Sequence, residues 1–251
     1  MHRSTPKMAT SIYCISGLGA DERIFSKLTL PGVTLIPLQW IQPQKEECIE
    51  AYAKRMTAQL PLHPGSQPHS HPANQDPPNQ PADQPGLLDQ PLSYPILMGV
   101  SFGGMMALEM AKFFPEAKVI LISSVKSRKE LPGWMRLAGN LRLNRLLPLR
   151  PPRWDRLETD FLGTETAEER QLVREFSNTS DPVYLRWALG QVINWRNEWQ
   201  PSACYHLHGT NDKTFPYKNI RATHLIAGGG HFMVMNRAKE VSTILESILA
   251  S

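Results

Sequence analysis

Short apolar runs alternate with amphipathic stretches along this chain. Residues 11–15 form a β-rich run that leads into Ser16-Gly17-Leu18-Gly19, which predicts a strand and then a glycine turn. Residues 33–38, 96–100, 119–122, 204–207 and 224–227 read as further strands. Between them the period changes. Over residues 45–60 the apolar positions Cys48, Tyr52, Met56 and Leu60, flanked by Ile49 and Ala53, recur at helical spacing. Met105, Met106, Leu108 and Phe113 mark a helix that starts near Gly103 and stops near Pro115. Val241, Leu245 and Ile248, with Ile244 beside them, mark a last helix. Apolar strands interleaved with amphipathic helices predict an α/β fold, a parallel sheet covered on both faces.

Two segments break this rhythm. Residues 61–95 hold ten of the chain's 22 prolines and no Lys or Arg. Such a stretch cannot pack a core and reads as a low-complexity loop insertion. The second segment, 126–200, lacks strand patterning and looks helical, with breaks expected at Pro132, Pro148, Pro151-Pro152 and Pro182. It lies between two strands, so it predicts a helical cap (126–200) on a core formed by 1–125 and 201–251. It carries five of the six tryptophans: Trp134, Trp154, Trp187, Trp195 and Trp199.

Composition narrows the class. At 251 residues the chain is long enough to bury a sizeable core without a disulfide or metal staple. The three cysteines, Cys14, Cys48 and Cys204, form no CxxC pair, which removes the usual zinc and redox motifs. Cys14 and Cys204 read as small buried hydrophobes. The N-terminal residues lack a signal-peptide core and no run of 18 apolar residues exists, so the expectation is a cytoplasmic protein with no membrane span. Net charge is a mild +4. Residues 126–156 concentrate nine basic residues against Glu130 and Asp155, which reads as a solvated helix face rather than a nucleic-acid surface, since no aromatic platform or known module accompanies it. Gly17-Leu18-Gly19 lacks the third glycine of a dinucleotide fingerprint, because Glu22 stands there. His69-Ser70-His71 is no more than an adventitious metal binder, so neither cofactor nor metal is expected.

The sharpest local signal is Gly99-Val100-Ser101-Phe102-Gly103-Gly104. A G-x-S-x-G pattern arises by chance in roughly one chain in ten of this length, so its context decides. An apolar strand runs into it and a helix leaves it, the strand–turn–helix of a nucleophile elbow. Gly99 and Gly103 supply the lack of bulk that so tight a turn demands. A serine hydroxyl needs a base, and the base an orienting acid. Of His206, His208, His224 and His231, the last follows the final strand and three glycines and can reach back over the sheet edge. His206 and His224 lie in or beside strands, and His208 precedes the acid. Asp212, in the loop after a strand and nineteen residues before His231, is the candidate acid. Ser101, Asp212 and His231 then follow the chain order expected for an elbow serine.

These motifs together resemble the α/β-hydrolase superfamily over nearly the whole chain outside the proline loop, and in particular its small bacterial members. The resemblance places the elbow nucleophile at Ser101, the acid of an H-G-x-x-D turn at Asp212 and the base at His231. It matches Ser16-Gly17-Leu18-Gly19 to the first oxyanion loop, with Ser16 where the family usually has His, and Gly17 as a supporting turn residue. It implies backbone N–H donors at Leu18 and Phe102, a sheet of about six strands, and no cofactor. The implied activity is hydrolysis through an acyl-enzyme of a small-molecule acyl substrate, a small to medium carboxylic ester or thioester. Other reactions on the same triad (C–C or amide hydrolysis, cofactor-free peroxidation) and a non-catalytic binding role on the same scaffold are the alternatives.

Overall fold

The computed structural model describes residues 10–61, 94–141 and 161–251. The proline-rich segment falls almost wholly outside these residues, as do residues 142–156 of the basic stretch and Trp154. Six strands form one parallel sheet: β1 (Thr10–Ile15), β2 (Val33–Pro37), β3 (Ile96–Val100), β4 (Lys118–Ile122), β5 (Cys204–Gly209) and β6 (His224–Ile226). Their spatial order is β2-β1-β3-β4-β5-β6, and every pairing is parallel.

Side-chain alternation explains why the strands read as continuous apolar runs. Ile15, Leu97, Val119 and Leu121 point to one face and Cys14, Met98, Ile120 and Ile122 to the other, so β1, β3 and β4 are buried on both sides. On the first face lie α1 (Ile49–Met56) and α2 (Phe102–Ala111). α2 is buried at all ten positions, including Glu109. Glu109 accepts from Trp195 Nε1 at 2.8 Å and pairs with Lys112 at 2.7 Å, which satisfies a carboxylate that burial would otherwise penalise. On the second face Val241, Leu245 and Ile248 bury the predicted stripe of the C-terminal helix, Ala238–Ala250.

Some expectations shift. In α1 the buried stripe is Ile49, Tyr52, Ala53 and Met56, whereas Cys48 is the exposed residue that starts the helix. Among the described residues of the excursion between β4 and β5 there are helices and no strand: α3 (Gly133–Asn140), α4 (Ala167–Thr179) and α5 (Pro182–Asn194). The expected breaks at Pro132 and Pro182 are present, and each proline also stands where the next helix opens. Pro182 occupies the first turn, where the missing N–H costs nothing, and Asp181 caps Val183 N at 2.7 Å. A short α6 (Met233–Asn236), unforeseen from the pattern, precedes the last helix, α7.

Among the described residues no helix is long and apolar enough to cross a membrane. Among those residues no group of three His, Cys, Asp or Glu side chains is placed to hold a metal ion. The basic residues described after β4 make structural contacts. Arg128 reaches the Ile193, Trp195 and Arg136 carbonyls and Asn140, Lys126 reaches the Arg221 carbonyl, and Lys129 pairs with Glu198.

Candidate active site

The C-terminal ends of the strands converge on Ser101. It sits between β3 and α2 at φ 54° and ψ −120°, a backbone conformation costing about 1–3 kcal/mol that persists only when its surroundings hold it. They do. Ser101 N–H donates to the Ile122 carbonyl at 2.9 Å, and the Ser101 carbonyl accepts from Ser124 Oγ at 2.6 Å and Gly104 N at 3.0 Å. The glycines around it leave no choice. A Cβ on Gly99 would collide with the Gly103 backbone, and one on Gly103 with the Ile15 and Ser16 carbonyls. One on Gly104 would press against Ser124. Ser124, at the end of β4, is therefore part of the elbow, although it lies 23 residues away in sequence.

His231 arrives from the far side of the sheet. β6 is separated from β3 by two strands, so the loop after it must fold back. Close backbone contact allows this. Gly209, at the end of β5, lies so near Gly229 that a Cβ would strike its carbonyl, and Asn211 N donates to that carbonyl at 2.9 Å. Gly230 meets Gly163, and Phe232 N donates to the Leu162 carbonyl at 2.8 Å. The result is a continuous polar chain. His231 Nε2 lies 2.9 Å from Ser101 Oγ, and His231 Nδ1 lies 2.8 Å from Asp212 Oδ2.

Asp212 is buried and fully engaged. Its Oδ1 accepts from Thr214 N and Phe215 N, both at 2.8 Å, so the carboxyl is an acceptor on that side. Toward His231 it again accepts, which puts the imidazole proton on Nδ1 and leaves the Nε2 lone pair facing the serine hydroxyl. Phe215 also packs edge-on against the His231 ring, with centroids 5.4 Å apart.

His208, set aside in the sequence because it precedes the acid, lies against this unit. Its Nε2 is 2.8 Å from the Phe215 carbonyl and 3.6 Å from Asp212 Oδ2. A carbonyl only accepts, so Nε2 carries the proton. Burial pushes the His208 pKa below the ordinary histidine value, against the pull of Asp212, so the contact with the carboxylate is not an ion pair. His206 is fully buried beside it with neither ring nitrogen hydrogen-bonded, and burial pushes its pKa well down.

Leu18 follows Gly17, where an added Cβ would reach the Ser101 Cβ at 3.6 Å. Phe102 follows Ser101 and opens α2. Neither N–H is taken up by a hydrogen bond among the described residues. Gly17 itself does not face the restriction of the elbow glycines, since a Cβ there would make an ordinary 3.6 Å contact. In this turn the demand falls on Gly19, at φ 76° and with Ser180 Oγ 3.0 Å from where its Cβ would sit. Spacing brought Ser101, Asp212 and His231 into view. It could not show Ser124, Phe215 or His208 beside them, since these meet the three through tertiary contacts that no motif marks.

A parallel sheet that delivers a serine, a histidine and an aspartate from the ends of three strands defines an α/β hydrolase. The chain belongs to the alpha/beta hydrolase family, whose model matches residues 14–244. No curated protein matches it by sequence. Among solved structures it is similar to a bromoperoxidase from Bacillus anthracis, with TM-score 0.62, 14% identity and coverage of 97% of this chain and 92% of that one. A thermophilic esterase from Thermogutta terrifontis matches with TM-score 0.57, 14% identity and coverage of 96% and 89%. A 2-hydroxy-6-oxo-6-phenylhexa-2,4-dienoate hydrolase from a Rhodococcus species matches with TM-score 0.60, 16% identity and coverage of 97% and 91%. At these identities the likeness shows the shared fold.

Proposed function

We propose that this protein is a serine hydrolase that cleaves small to medium carboxylic esters or thioesters through an acyl-enzyme. The observation that carries the reading is the chain from Ser101 Oγ to His231 Nε2 at 2.9 Å and from His231 Nδ1 to Asp212 Oδ2 at 2.8 Å. Ser101 Oγ attacks the carbonyl carbon while its proton passes to His231 Nε2. Asp212 holds the ring in the tautomer that can take that proton and stabilises the cation that results. The carbonyl oxygen, now negative, is held by the unengaged N–H groups of Leu18 and Phe102. His231 returns the proton to the leaving group. Water then repeats the attack on the acyl-enzyme and frees Ser101. The excursion over 126–200 serves as the cap.

The test is covalent labelling with a fluorophosphonate, expected on Ser101 and absent in Ser101→Ala. It is paired with turnover of p-nitrophenyl esters of graded chain length. A folded wild-type protein that stays unlabelled and inert to all of them overturns the reading. Diketone, amide and peroxide substrates run beside the esters separate this reaction from others on the same triad.

A further inference from the structure

Trp40 is the one tryptophan outside the helical excursion. It lies in the connection after β2 and touches both backbone segments that flank Ser101. Its Nε1–H donates to Ser16 Oγ at 2.9 Å. That hydroxyl in turn donates to the Ala20 carbonyl at 2.7 Å, and Ala20 N closes onto the Gly17 carbonyl at 3.1 Å. The turn from Ser16 to Ala20, which presents Leu18 N–H, is thus tied at both ends to one hydroxyl whose direction Trp40 sets. The face of the same indole stacks on Phe102, with centroids 5.3 Å apart and planes 15° from parallel. Phe102 carries the other free N–H.

Elsewhere the turn is held by Ser180 Oγ, which donates to the Gly19 carbonyl at 2.9 Å, and by Leu18 against the core. On the side of Ser16 and Ala20 a cavity of about 100 Å³ borders the turn, lined by Cys14, Ser16, Ala20, Leu38 and Trp40 among others. With the Trp40–Ser16 bond removed, this space gives Ser16 and the turn room to shift.

Resting on the reading above, we infer that Trp40, acting through Ser16, is a positioning residue that holds the two oxyanion donors in register with each other. A misplacement of a fraction of an ångström weakens a hydrogen bond that forms fully only in the transition state, so the loss should fall on kcat.

Trp40→Phe keeps a ring against Phe102 and deletes the N–H. Ser16→Ala deletes the acceptor. Each should lower kcat for a p-nitrophenyl ester about 10- to 100-fold with KM within about twofold, and the double variant should lose no more than the worse single. A trifluoromethyl ketone supplies a second readout. Ser101 Oγ adds to its carbonyl carbon, the serine proton goes to His231, and the carbonyl π pair becomes the oxyanion. Its affinity should fall by the same factor as kcat. Unchanged kcat, additive losses, or a rise in KM alone would overturn the inference, the last pointing to a substrate-pocket wall. Ser16→Ala removes a single buried atom and carries the test if Trp40→Phe does not fold. Fluorophosphonate labelling of the wild type separates the two claims. A labelled wild type with unaffected variants sinks only the role of Trp40, whereas an unlabelled wild type sinks the hydrolase reading itself.

Discussion

Asp212→Asn isolates what the carboxylate does chemically from what it does structurally. The asparagine oxygen can stay where Oδ1 is, accepting from Thr214 N and Phe215 N, both 2.8 Å away in the wild type. The flipped rotamer would aim an NH2 group at two N–H donors and is disfavoured. The amide nitrogen therefore replaces Oδ2, 2.8 Å from His231 Nδ1 and 3.6 Å from His208 Nε2. A donor now faces His231, so the imidazole must accept at Nδ1 and carry its proton on Nε2. In that tautomer it cannot take the proton of Ser101 Oγ. The equivalent change in a serine protease costs about 10⁴-fold in kcat, or about 5.4 kcal/mol of transition-state stabilisation. The fold should lose far less, about 1 kcal/mol for one weakened hydrogen bond, a drop of about 2–4 °C in Tm. Asp212→Ala strands both backbone donors as well and should lower Tm further. The measurements are kcat on p-nitrophenyl acetate, the rate of fluorophosphonate labelling, and thermal melting. An Asp212→Asn protein that melts normally yet keeps more than a tenth of wild-type kcat would refute the reasoning.

Four further outcomes are expected. Gly99→Ala should fail to accumulate as folded protein, because its Cβ meets backbone that cannot move aside, whereas Gly17→Ala should melt normally; soluble yield and melting curves compare them. Glu109→Ala leaves Trp195 N–H buried without an acceptor and should cost about 1–3 kcal/mol, more than Glu109→Gln, as read by urea denaturation. Ser124→Ala releases the Ser101 carbonyl and should cost about 1 kcal/mol with a fall in kcat. His206 and His208 are held neutral by burial, so the unfolded chain binds protons more readily than the folded one. Their contribution to stability is complete above about pH 6.5 and lost as pH falls below it; denaturation across pH should show that decline, and His206→Leu should shrink it.

All six strands were legible to within a residue or two, most plainly β1, β3 and β4, where burial on both faces writes an apolar signal at nearly every position. The elbow was legible for a related reason: Gly99, Ser101 and Gly103 are neighbours in sequence, and their constraint is local. The helix over 133–140 was legible only as part of a helical segment, without bounds, because Trp134 and Leu137 are exposed and write no inward stripe. The breaks at Pro132 and Pro182 were legible because proline cannot sit inside a helix; that Pro182 also opens the next helix shows only in the cap geometry. His208 was judged by chain order alone. Order bears on which histidine acts as base, but says nothing about which one packs on the acid.

The order Ser, Asp, His along the chain is a consequence of the sheet. β4 lies between β3 and β5 and could have offered the acid, yet its end is committed to the elbow: Ile122 holds Ser101 N–H, and Ser124 holds the Ser101 carbonyl in space that only Gly104 leaves open. The acid is therefore displaced one strand outward, to the loop after β5. From there a histidine can bridge to Ser101 only if it lies over the strand ends between them, and the Gly209–Gly229 contact lets the loop after β6 do so. Under the mechanism proposed above, the strands and their glycines thus set the path of the proton from Ser101 to His231. The parts outside the sheet nearest this path are the turn from Ser16 to Ala20 and the α4–α5 connection, which meet where Ser180 Oγ donates to the Gly19 carbonyl at 2.9 Å.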